Sequence, residues 1–414
     1  MRRIIASLDI GSDAIKLVVG EVFRNKLNIL ASVETPSRGI KKGYVVNSES
    51  ATEALSEVFN EVETMLGLKV KEVIASVPSY MADYFLTEGR VSVNSENGLV
   101  TSSDILNALK NALENKIGPT VELVTIMPTN FAINDSEIIK NPLNMSANKL
   151  SVKAVVTTVP KKNVAAINAC LNKIGVSIID IATSPLGDYY EFKTKESDKE
   201  PCAIINIGSE TTTVSVFNRG ILTNSEVIDI GGANIENDLA YVYKLTRLNA
   251  RLVKEKLALA HNRLAEPSES MTLTDKFGDE IKINQYDASE IVMSRLEEIL
   301  NLTKKQINLL TKKEISYIMV TGGVTETQDF ELVLEDVYGT RARLKKVFEL
   351  GVRNNKYSTC VGMIKYYNSR LKLKNKDYSI FTLEEQEEFS GLSKKINISE
   401  NSILGKLFGY FFDN

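Results

Sequence analysis

One short pattern occurs twice in this chain of 414 residues, and it restricts the possible folds more than any other feature. Asp9-Ile10-Gly11-Ser12 and Asn206-Ile207-Gly208-Ser209 lie about 200 residues apart, and each ends an apolar run that predicts a buried strand. A second apolar run follows each pattern, so each glycine is predicted to turn a β-hairpin. The sequence therefore predicts an internal duplication of a strand, glycine turn and strand.

These turns have the chemistry of phosphate-binding loops. Glycine lets the backbone approach a phosphate and points N–H groups at it, and the serine hydroxyl adds a donor. An acidic residue at the end of the strand can hold the water shell of Mg²⁺. One such turn alone is usually ordinary hairpin geometry, but two that face each other would clamp a polyphosphate between two lobes.

Composition and charge exclude several other classes of protein. A net charge of −3 indicates no nucleic-acid-binding surface, and no run of 18 apolar residues predicts a membrane-spanning helix. The single histidine, His261, rules out a two-histidine metal site and is predicted to be structural or on the surface. Cys170, Cys202 and Cys360 are predicted to be small core residues in a reducing cytoplasm. We therefore expect a cytoplasmic protein that contacts membranes only peripherally.

Apolar periodicity predicts the elements around the two loops. The predicted strands are Arg3–Ile10, Ala14–Val22, Leu86–Val93, Leu150–Val159, Ala203–Ile207, Thr211–Val216, Ile221–Ile230 and Glu314–Val320. The predicted helical regions are Ser48–Leu66, Ser102–Lys116, Lys162–Ile174, Glu236–Leu264 and Asp287–Leu310. A charged stretch closed by a proline, 194–201, predicts a domain boundary, and the charged sequence from Asn368 onward predicts a linker.

Several segments match the motifs of one superfamily in order and spacing. They are Leu8–Ser12 and Asn206–Thr213 at the phosphate loops, Ser37–Gly43, Lys140–Ser146, Ile230–Asn234, Val320–Gly323 at an adenosine motif and Tyr357–Gly362 at a connecting helix. In these segments the chain resembles the actin/Hsp70/sugar-kinase superfamily and, within it, the FtsA family of bacterial cell-division proteins.

The resemblance implies an α/β fold of actin-like, two-lobed type with duplicated ribonuclease-H-like domains. In that division, 1–83 and 161–197 form subdomain 1A, 84–160 the FtsA-type insert 1C, 198–233 and 312–378 subdomain 2A, 234–311 subdomain 2B, 379–401 a flexible linker and 402–414 a membrane-binding amphipathic helix.

The resemblance also implies that ATP binds in the cleft, with Mg²⁺ held weakly or through water. The implied nucleotide-binding residues are Asp9, Gly11, Ser12, Lys16, Asn206, Gly208, Thr211, Thr212, Gly231, Gly232, Lys254, Gly322 and Gly323. Lys16 lies on the same strand face as Ala14, where the family usually has a lysine, so it can supply the amine from one pleat further on. No catalytic residue is implied.

The chain departs from the family within this site. Asn206 replaces the usual Asp, and an amide cannot supply the charge that holds magnesium. Asp13 and Glu210 replace small residues; they either point at the phosphates, where like charge weakens binding, or face solvent. Arg251 stands near the position of an adenine-side Glu, whereas Lys254 matches the accompanying Lys. We therefore expect ATP to bind and its hydrolysis to be slow or absent.

The last residues, SILGKLFGYFF over 402–412, predict an amphipathic helix. Ile403, Leu404, Leu407, Phe408, Tyr410, Phe411 and Phe412 fall on one face, and Gly405, Lys406, Gly409 and Asp413 on the rest. Such a helix after a polar linker suits the membrane interface, although it can also dock on its own globular part. FtsA-like proteins end in a membrane-targeting helix. Here Lys406 is the one basic residue of the helix, so apolar burial is expected to matter more than anionic lipid.

In FtsA-like proteins the subdomain that contains 287–310 binds the acidic C-terminal peptide of the tubulin-like division protein FtsZ. Arg295 matches an Arg there and Lys304 is assigned by proximity; the alternative is a solvated charged helix face. The expected function is to anchor the FtsZ ring to the cytoplasmic face of the membrane at the division site and to assemble as filaments or dimers. The alternatives are a small-molecule kinase of the same superfamily, for which no base is evident, and a rod-shape-type cytoskeletal filament, which leaves Lys140–Ser146 unexplained.

Overall fold

The chain passes through two halves of similar construction that meet near residue 200. The computed structural model describes residues 2–95, 97–134, 137–373, 378–382 and 384–386. The first half contains β1 (Arg3–Ile10), β2 (Ala14–Phe23), β3 (Lys26–Pro36), β4 (Ile40–Lys41), β5 (Tyr44–Val45), α1 (Ser48–Leu66), β6 (Glu72–Val77), β7 (Asp83–Ser92), α2 (Ser102–Leu113), β8 (Val121–Ile133), β9 (Glu137–Ile139), β10 (Lys149–Pro160), α3 (Lys161–Lys173), β11 (Ser177–Thr183) and α4 (Ser184–Phe192).

The second half repeats the pattern with a different insertion. It contains β12 (Cys202–Ile207), β13 (Thr212–Asn218), β14 (Ile221–Ile228), α5 (Gly232–Val242), α6 (Arg247–Lys256), β15 (Ser270–Thr274), β16 (Glu280–Asn284), α7 (Gln285–Leu310), β17 (Tyr317–Thr321), α8 (Phe330–Tyr338), β18 (Ala342–Leu344) and α9 (Ser358–Leu373).

The two main sheets have the same topology, which confirms the duplication predicted from the loops. Their strand orders are β3-β2-β1-β6-β11 and β14-β13-β12-β17-β18. In each sheet the first three strands form an antiparallel meander and the last two run parallel to the central strand. In both halves the glycine loop follows the central strand, so the two loops occupy equivalent positions.

A separate four-stranded sheet forms the insert in the first half, in the order β7-β10-β8-β9. Helix α2 packs on it, and the packing is close at Gly89, where an added Cβ would lie 2.0 Å from the Ala108 oxygen. Val152 and Leu150 of β10 are fully buried beneath this helix. The insert therefore has its own small core.

Helix α1 has the bounds predicted from the sequence, because strong signals fix both ends. The Asn47 side chain accepts hydrogen bonds from the N–H groups of Glu49 and Ser50. Gly67 adopts the left-handed conformation, with φ 70°, and its N–H donates to the Glu63 oxygen. Apolar residues at helical spacing bury the face that packs on the first sheet.

The helical region predicted at Glu236–Leu264 is instead two helices, so that prediction was wrong in its continuity. Helix α5 ends at Val242, and Lys244 adopts a left-handed backbone with φ 53°. Thr246 then caps α6, its side chain accepting a hydrogen bond from the Asn249 N–H. The turn brings α5 and α6 side by side, which places charged residues of both helices at one edge of the cleft.

Helices α4 and α9 cross between the two sheets and form the joint of the molecule. Their contact is very close, since a Cβ added at Gly362 would lie 1.8 Å from the Gly187 oxygen. The surrounding core takes residues from both sheets, including Ile74 of the first and Ile204 of the second. The two halves are therefore joined by packed helices, and the cleft opens beyond them.

The C-terminal segment corrects the predicted linker. Residues from Asn368 continue α9 to Leu373, and Arg370 pairs with Asp180 at 2.5 Å. Beyond the helix, the Ile380 N–H donates to the Ile4 oxygen at 3.0 Å and Phe381 is only 3% exposed. The start of the predicted flexible linker 379–401 thus packs on the first sheet. Residues 387–401 and the predicted helix 402–414 lie outside the described residues. No helix within the described ranges is long and apolar enough to cross a membrane.

Candidate functional site: a cleft between two phosphate-type loops

A cavity of about 1040 Å³ lies between the two halves, beside both glycine loops. It is large enough for a nucleotide. Eleven of the thirteen predicted nucleotide-binding residues line it: Asp9, Gly11, Ser12, Lys16, Asn206, Gly208, Thr211, Gly232, Lys254, Gly322 and Gly323. The structure therefore brings together residues that are more than 300 positions apart in the chain.

The two loops have the same backbone turn. The Gly11 N–H donates to the Ala14 oxygen at 3.2 Å, and the Gly208 N–H donates to the Thr211 oxygen at 2.9 Å. A Cβ at either glycine would lie about 3 Å from that same oxygen. Glycine is therefore required sterically at both turns, and the residues that follow each glycine occupy matching positions.

Thr212 and Gly231, the other two predicted nucleotide-binding residues, do not line the cavity. Thr212 is fully buried and its hydroxyl donates to the Ile230 oxygen at 2.7 Å. Gly231 lets α5 start against the second loop, because a Cβ there would lie 2.5 Å from the Gly208 oxygen. Ser209 and Thr213 line the cavity instead. Side chains two positions apart on a strand lie on the same face, so Thr213 faces the cavity together with Thr211.

Lys16 places its ammonium group beside the first loop. Its Nζ donates to Asp9 Oδ2 at 2.8 Å, and the Ser76 hydroxyl donates to Asp9 Oδ1 at 2.7 Å. Burial alone would lower the pKa of Lys16, but the adjacent Asp9 carboxylate outweighs it and holds that pKa above its ordinary value. Lys16 is therefore a fixed positive charge at the place predicted for the phosphate-side amine.

Asn206 is held by a carboxylate behind the cavity wall. Its Nδ2 donates to Asp188 Oδ2 at 2.7 Å, and Ser358 and Thr359 donate to Asp188 Oδ1 at 2.7 and 3.0 Å. Asp188 is fully buried, and burial raises its pKa to about 6, although these hydrogen bonds lower it. This contact could not be predicted from the sequence, because Asp188 lies in α4 with no recognisable motif around it.

A buried carboxylate also organises the cations of the second half. Glu236 contacts Lys254 at 2.5 Å, Arg247 at 3.3 Å and Arg251 at 3.6 Å. Its side chain is 2% exposed, so the three basic side chains offset the cost of burying a carboxylate there. Lys254 and Arg251 are thereby fixed at the cavity edge.

Asp13 and Glu210, which depart from the family pattern, both line the cavity and have partners there. Asp13 Oδ2 accepts from Arg251 Nη2 at 2.5 Å, and Glu210 Oε2 accepts from the Lys42 N–H at 2.9 Å. Each acidic side chain thus contacts a residue of the opposite half. The Asp13 side chain is 43% exposed, so the alternative in which these residues face solvent is met in part for Asp13.

The acidic residues of the cleft bear on the predicted magnesium. Across the described ranges, no group of three or more His, Cys, Asp or Glu residues is arranged to hold a metal ion. Asp9 faces the cavity at a strand end, but both of its oxygens already accept hydrogen bonds. These residues fit a magnesium ion held through water and the phosphates better than one coordinated directly by the protein.

The predicted partner-binding residues lie on opposite faces of α7. Arg295 borders a groove of about 370 Å³ between α5 and α7, where it makes a fork with Asp238 at 2.6 and 2.8 Å and also pairs with Glu298. Lys304 contacts the Val337 oxygen at 3.0 Å, at the end of α8. Nine residues along a helix is half a turn away, so Lys304 lies on the face of α7 opposite Arg295.

The remaining reactive residues are structural. The Arg263 N–H donates to His261 Nδ1 at 3.0 Å, and His261 Nε2 contacts Asp336 at 2.8 Å, away from the cavity. Cys170, Cys202 and Cys360 are free and buried, as predicted. Burial raises the pKa of the Cys202 thiol to about 12, so this thiol is not a nucleophile.

Comparison with protein families and curated sequences gives consistent matches. A family model described as "Cell division protein FtsA" matches residues 203–362, and one described as "SHS2 domain inserted in FTSA" matches 83–158. The cell division protein FtsA of Bacillus subtilis is 28% identical over 363 residues, covering 87% of this chain and 82% of that protein. The FtsA of Pseudomonas aeruginosa is 25% identical over 374 residues, covering 88% and 89%.

Solved structures show the likeness of the fold. MreB5 of Spiroplasma citri bound to ADP has a TM-score of 0.58 at 13% identity, covering 90% of this chain and 99% of its own. A PilM–PilN type IV pilus biogenesis complex has a TM-score of 0.58 at 16% identity, covering 86% and 96%. Together with the duplicated sheets and the insert, they show an actin-like, two-lobed fold.

Proposed function

Because the chain belongs to the FtsA family of cell-division proteins, we propose that it binds ATP in its cleft and anchors the FtsZ ring to the inner face of the cell membrane. The observation that carries this proposal is the cavity between two equivalent glycine loops, with Lys16 and Lys254 on opposite sides of it. The MreB5 structure with the same fold is described as bound to ADP.

The residues of the cleft suggest how a nucleotide is held. The backbone at Gly11 and Gly208 approaches the phosphates, the hydroxyls of Ser12 and Thr211 donate to them, and Lys16 offsets their charge. Gly323 leaves room on the adenosine side, and Gly322 allows the backbone there to pack closely against Ile207. A bound Mg²⁺ would neutralise further phosphate charge, with Asp9 accepting hydrogen bonds from its water shell. Asn206 adds no negative charge, so we expect hydrolysis to be slow or absent.

The membrane and partner functions rest on the family and on the sequence. The amphipathic stretch 402–412 is proposed to lie in the membrane interface. The groove beside Arg295 is proposed to take the C-terminal peptide of FtsZ. Self-association into filaments or dimers would place several such tails on one membrane, which strengthens attachment through multivalency. The protein would then act at the division site.

Nucleotide binding is tested by filling the cavity without disturbing the loops. A Cβ at Gly323 meets only Lys356 Cβ, at 3.8 Å, so Gly323→Phe is expected to occupy the adenosine side. Titration of the full chain with a fluorescent ATP analogue should show at least roughly tenfold weaker binding for this variant. Gly118→Phe, where an added Cβ meets nothing within 4 Å, is the control. Failure of the unaltered chain to bind ATP would refute the proposal, and transfer of phosphate to a small substrate would favour the kinase.

Membrane anchoring is tested by sedimentation with liposomes. The full chain should pellet with vesicles and a chain ending at Asn401 should remain in solution. Binding should persist in moderate salt, because the tail carries few basic residues. If neither chain pellets, the tail has another role. If the full chain pellets, addition of FtsZ should bring FtsZ into the pellet, and its absence there would contradict the adaptor function.

A further inference from the structure

The fifth residue of each duplicated loop is acidic, and both acidic residues bridge the cleft. Asp13 follows Asp9-Ile10-Gly11-Ser12, and Glu210 follows Asn206-Ile207-Gly208-Ser209. Because the two turns have the same backbone hydrogen bond, Asp13 and Glu210 occupy equivalent places in the two halves. Asp13 contacts the second half and Glu210 contacts the first. The two acidic residues are thus equivalent in the duplicated loops, whereas their partners, a side chain of α6 and a backbone N–H between β4 and β5, are not.

Arg251, the partner of Asp13, is held in position by two other carboxylates of the second half. Arg251 Nε lies 3.1 Å from Glu255 and 3.6 Å from buried Glu236, which leaves Nη2 directed at Asp13. The guanidinium therefore neutralises a carboxylate at the tip of the first loop. Without that neutralisation the carboxylate would repel the phosphates of a nucleotide.

The partner of Glu210 belongs to a segment that also supports the first loop. Lys42 donates its N–H to Glu210 and its Nζ to Asp229, at 2.9 and 2.6 Å, and both of these residues lie in the second half. The Gly43 N–H donates to the Ser12 hydroxyl at 3.2 Å. Lys42 has a φ of 51°, a backbone conformation rare outside glycine. The segment is therefore shaped to connect the first loop with the tip of the second.

We propose that Asp13 and Glu210 form a two-point clasp that holds the halves closed over the cleft, and that the clasp must open for nucleotide to exchange. The exchange step rests on the nucleotide binding proposed above, whereas closure of the halves does not. The side chains of Asp13 and Arg251 are 43% and 36% exposed, so this ion pair is individually weak and screened by salt. Such contacts suit a reversible gate.

The first experiment measures the distance between the halves in the full chain without nucleotide. Cysteines introduced at Glu61 of α1 and Thr272 of β15, both exposed, carry spin labels, because the three native cysteines are buried. The double variant Asp13→Ser, Glu210→Ser should shift the distance distribution to larger values by about 3 Å or more. High salt should shift the parent chain in the same direction.

Matched controls separate the clasp from a general loss of surface charge. Glu57→Ser removes a comparable ion pair, Arg38–Glu57 at 2.6 Å, that lies within the first half, and it should leave the distance unchanged. Arg251→Gln should open the halves as Asp13→Ser does, and combining the two should add little further. Distances that coincide for the double variant and its parent at low and high salt would overturn the proposal.

The second experiment measures release of a fluorescent ATP analogue after rapid mixing with excess ATP. The double variant should release it roughly five- to tenfold faster than the parent, and Glu57→Ser should match the parent. If the double variant and the parent release the analogue at equal rates although the distance between the halves is larger in the variant, the clasp exists but does not control nucleotide exchange. A parent chain that binds no nucleotide would refute the proposed function, and the distance measurement would still decide whether the clasp exists.

Discussion

At the scale of single residues, the hydrogen-bond partners of a buried carboxylate decide which side chain can occupy position 206 in the cleft wall. Asp188 lies behind the cavity wall and accepts from Asn206, Ser358 and Thr359, while Asn206 lines the cavity itself. An Asp at 206 would place two carboxylates within hydrogen-bond distance in a buried place. The amide at 206, which looked like a simple loss of a magnesium ligand, is therefore required by its neighbour.

This pair can be exchanged by mutation. Asn206→Asp alone should lower the free energy of unfolding by about 3 kcal/mol at pH 8 and by less at pH 5, since the two carboxyl groups can then share a proton. The double variant Asn206→Asp, Asp188→Asn should regain stability, because the amide at 188 still accepts from both hydroxyls and donates to the new carboxylate. Urea unfolding measures the free energy of unfolding of each variant. Titration with an ATP analogue, with and without Mg²⁺, measures the nucleotide affinity.

The exchanged pair also tests whether the amide at position 206 weakens the binding of magnesium with the nucleotide. With a carboxylate returned to the cavity wall, the double variant should show a stronger dependence of nucleotide affinity on Mg²⁺ than the parent chain. Equal stability of Asn206→Asp and the parent at pH 8 would show that Asp188 does not constrain position 206.

Glu191 should give the molecule a pH-dependent stability. It lies on α4 beside Lys365 at 2.8 Å, and Lys365 also contacts Glu349 at 2.5 Å. Burial raises the pKa of Glu191 from its usual 4.5 to about 7, and the charge of Lys365 only partly offsets it. For Glu349, the bond to Lys365 outweighs burial and holds the pKa below its usual value. Because the folded chain binds the proton of Glu191 more tightly, its stability should fall as pH rises from about 4.5 to about 7.

Glu191→Gln should remove that dependence. The variant should exceed the parent by about 2 kcal/mol in unfolding free energy at pH 8 and differ little at pH 5. Urea unfolding across this range is the measurement. Glu57→Gln, at a side chain that is 54% exposed, is the control and should follow the parent throughout. If the unfolding free energies of Glu191→Gln and the parent change with pH in the same way, Glu191 is not the source of the pH dependence.

At the scale of elements, α7 shows that one helix can serve two purposes on two faces. One face carries Arg295 beside the groove with α5, where Tyr241 is 87% exposed. The opposite face carries Lys304, which contacts the last turn of α8. Charge along the helix is similar on both faces, so the sequence alone could not separate the groove from the packed side.

The groove contains three carboxylates, Asp238, Glu290 and Glu298, around one arginine. An acidic peptide must therefore displace one of them, and Glu298 is the weakest competitor because its side chain is 53% exposed. We predict that Glu298→Gln strengthens binding of the FtsZ C-terminal peptide about threefold and that Arg295→Ala weakens it at least about tenfold. Fluorescence anisotropy measures both, with Lys304→Ala as the control expected to bind like the parent.

At the scale of the whole molecule, the described C-terminal segment 378–382 packs back on the first half of the chain. Phe381 packs in the core of the first half, and the Ile380 N–H bonds to the start of β1. The first glycine loop lies at the other end of β1, so Ile380 and Phe381 lie at the end of this strand away from the loop.

Phe381→Ala should show that this attachment is structural. Loss of the buried ring is expected to lower the unfolding free energy by about 3 kcal/mol and to speed proteolysis after α9. Liposome binding should be retained, because the tail itself is unchanged. Ile138→Ala, at a side chain that is 72% exposed on the insert, is the matched control. Unchanged stability and proteolysis would mean that the segment is not anchored at Phe381.

The sequence by itself determined the duplicated loops, the bounds of α1 and most residues of the cleft, because these depend on local rules: apolar periodicity, caps, and glycine where a turn allows nothing larger. It could not determine the partners of Asp13, Glu210, Asn206 and Lys304. Those partners lie on other elements, from 18 to 238 positions away, and only packing brings them within hydrogen-bond distance. A charged side chain looks the same in sequence whether it faces a ligand, water or another half of the molecule, so the tertiary structure alone decided that the acidic loop tips join the two halves.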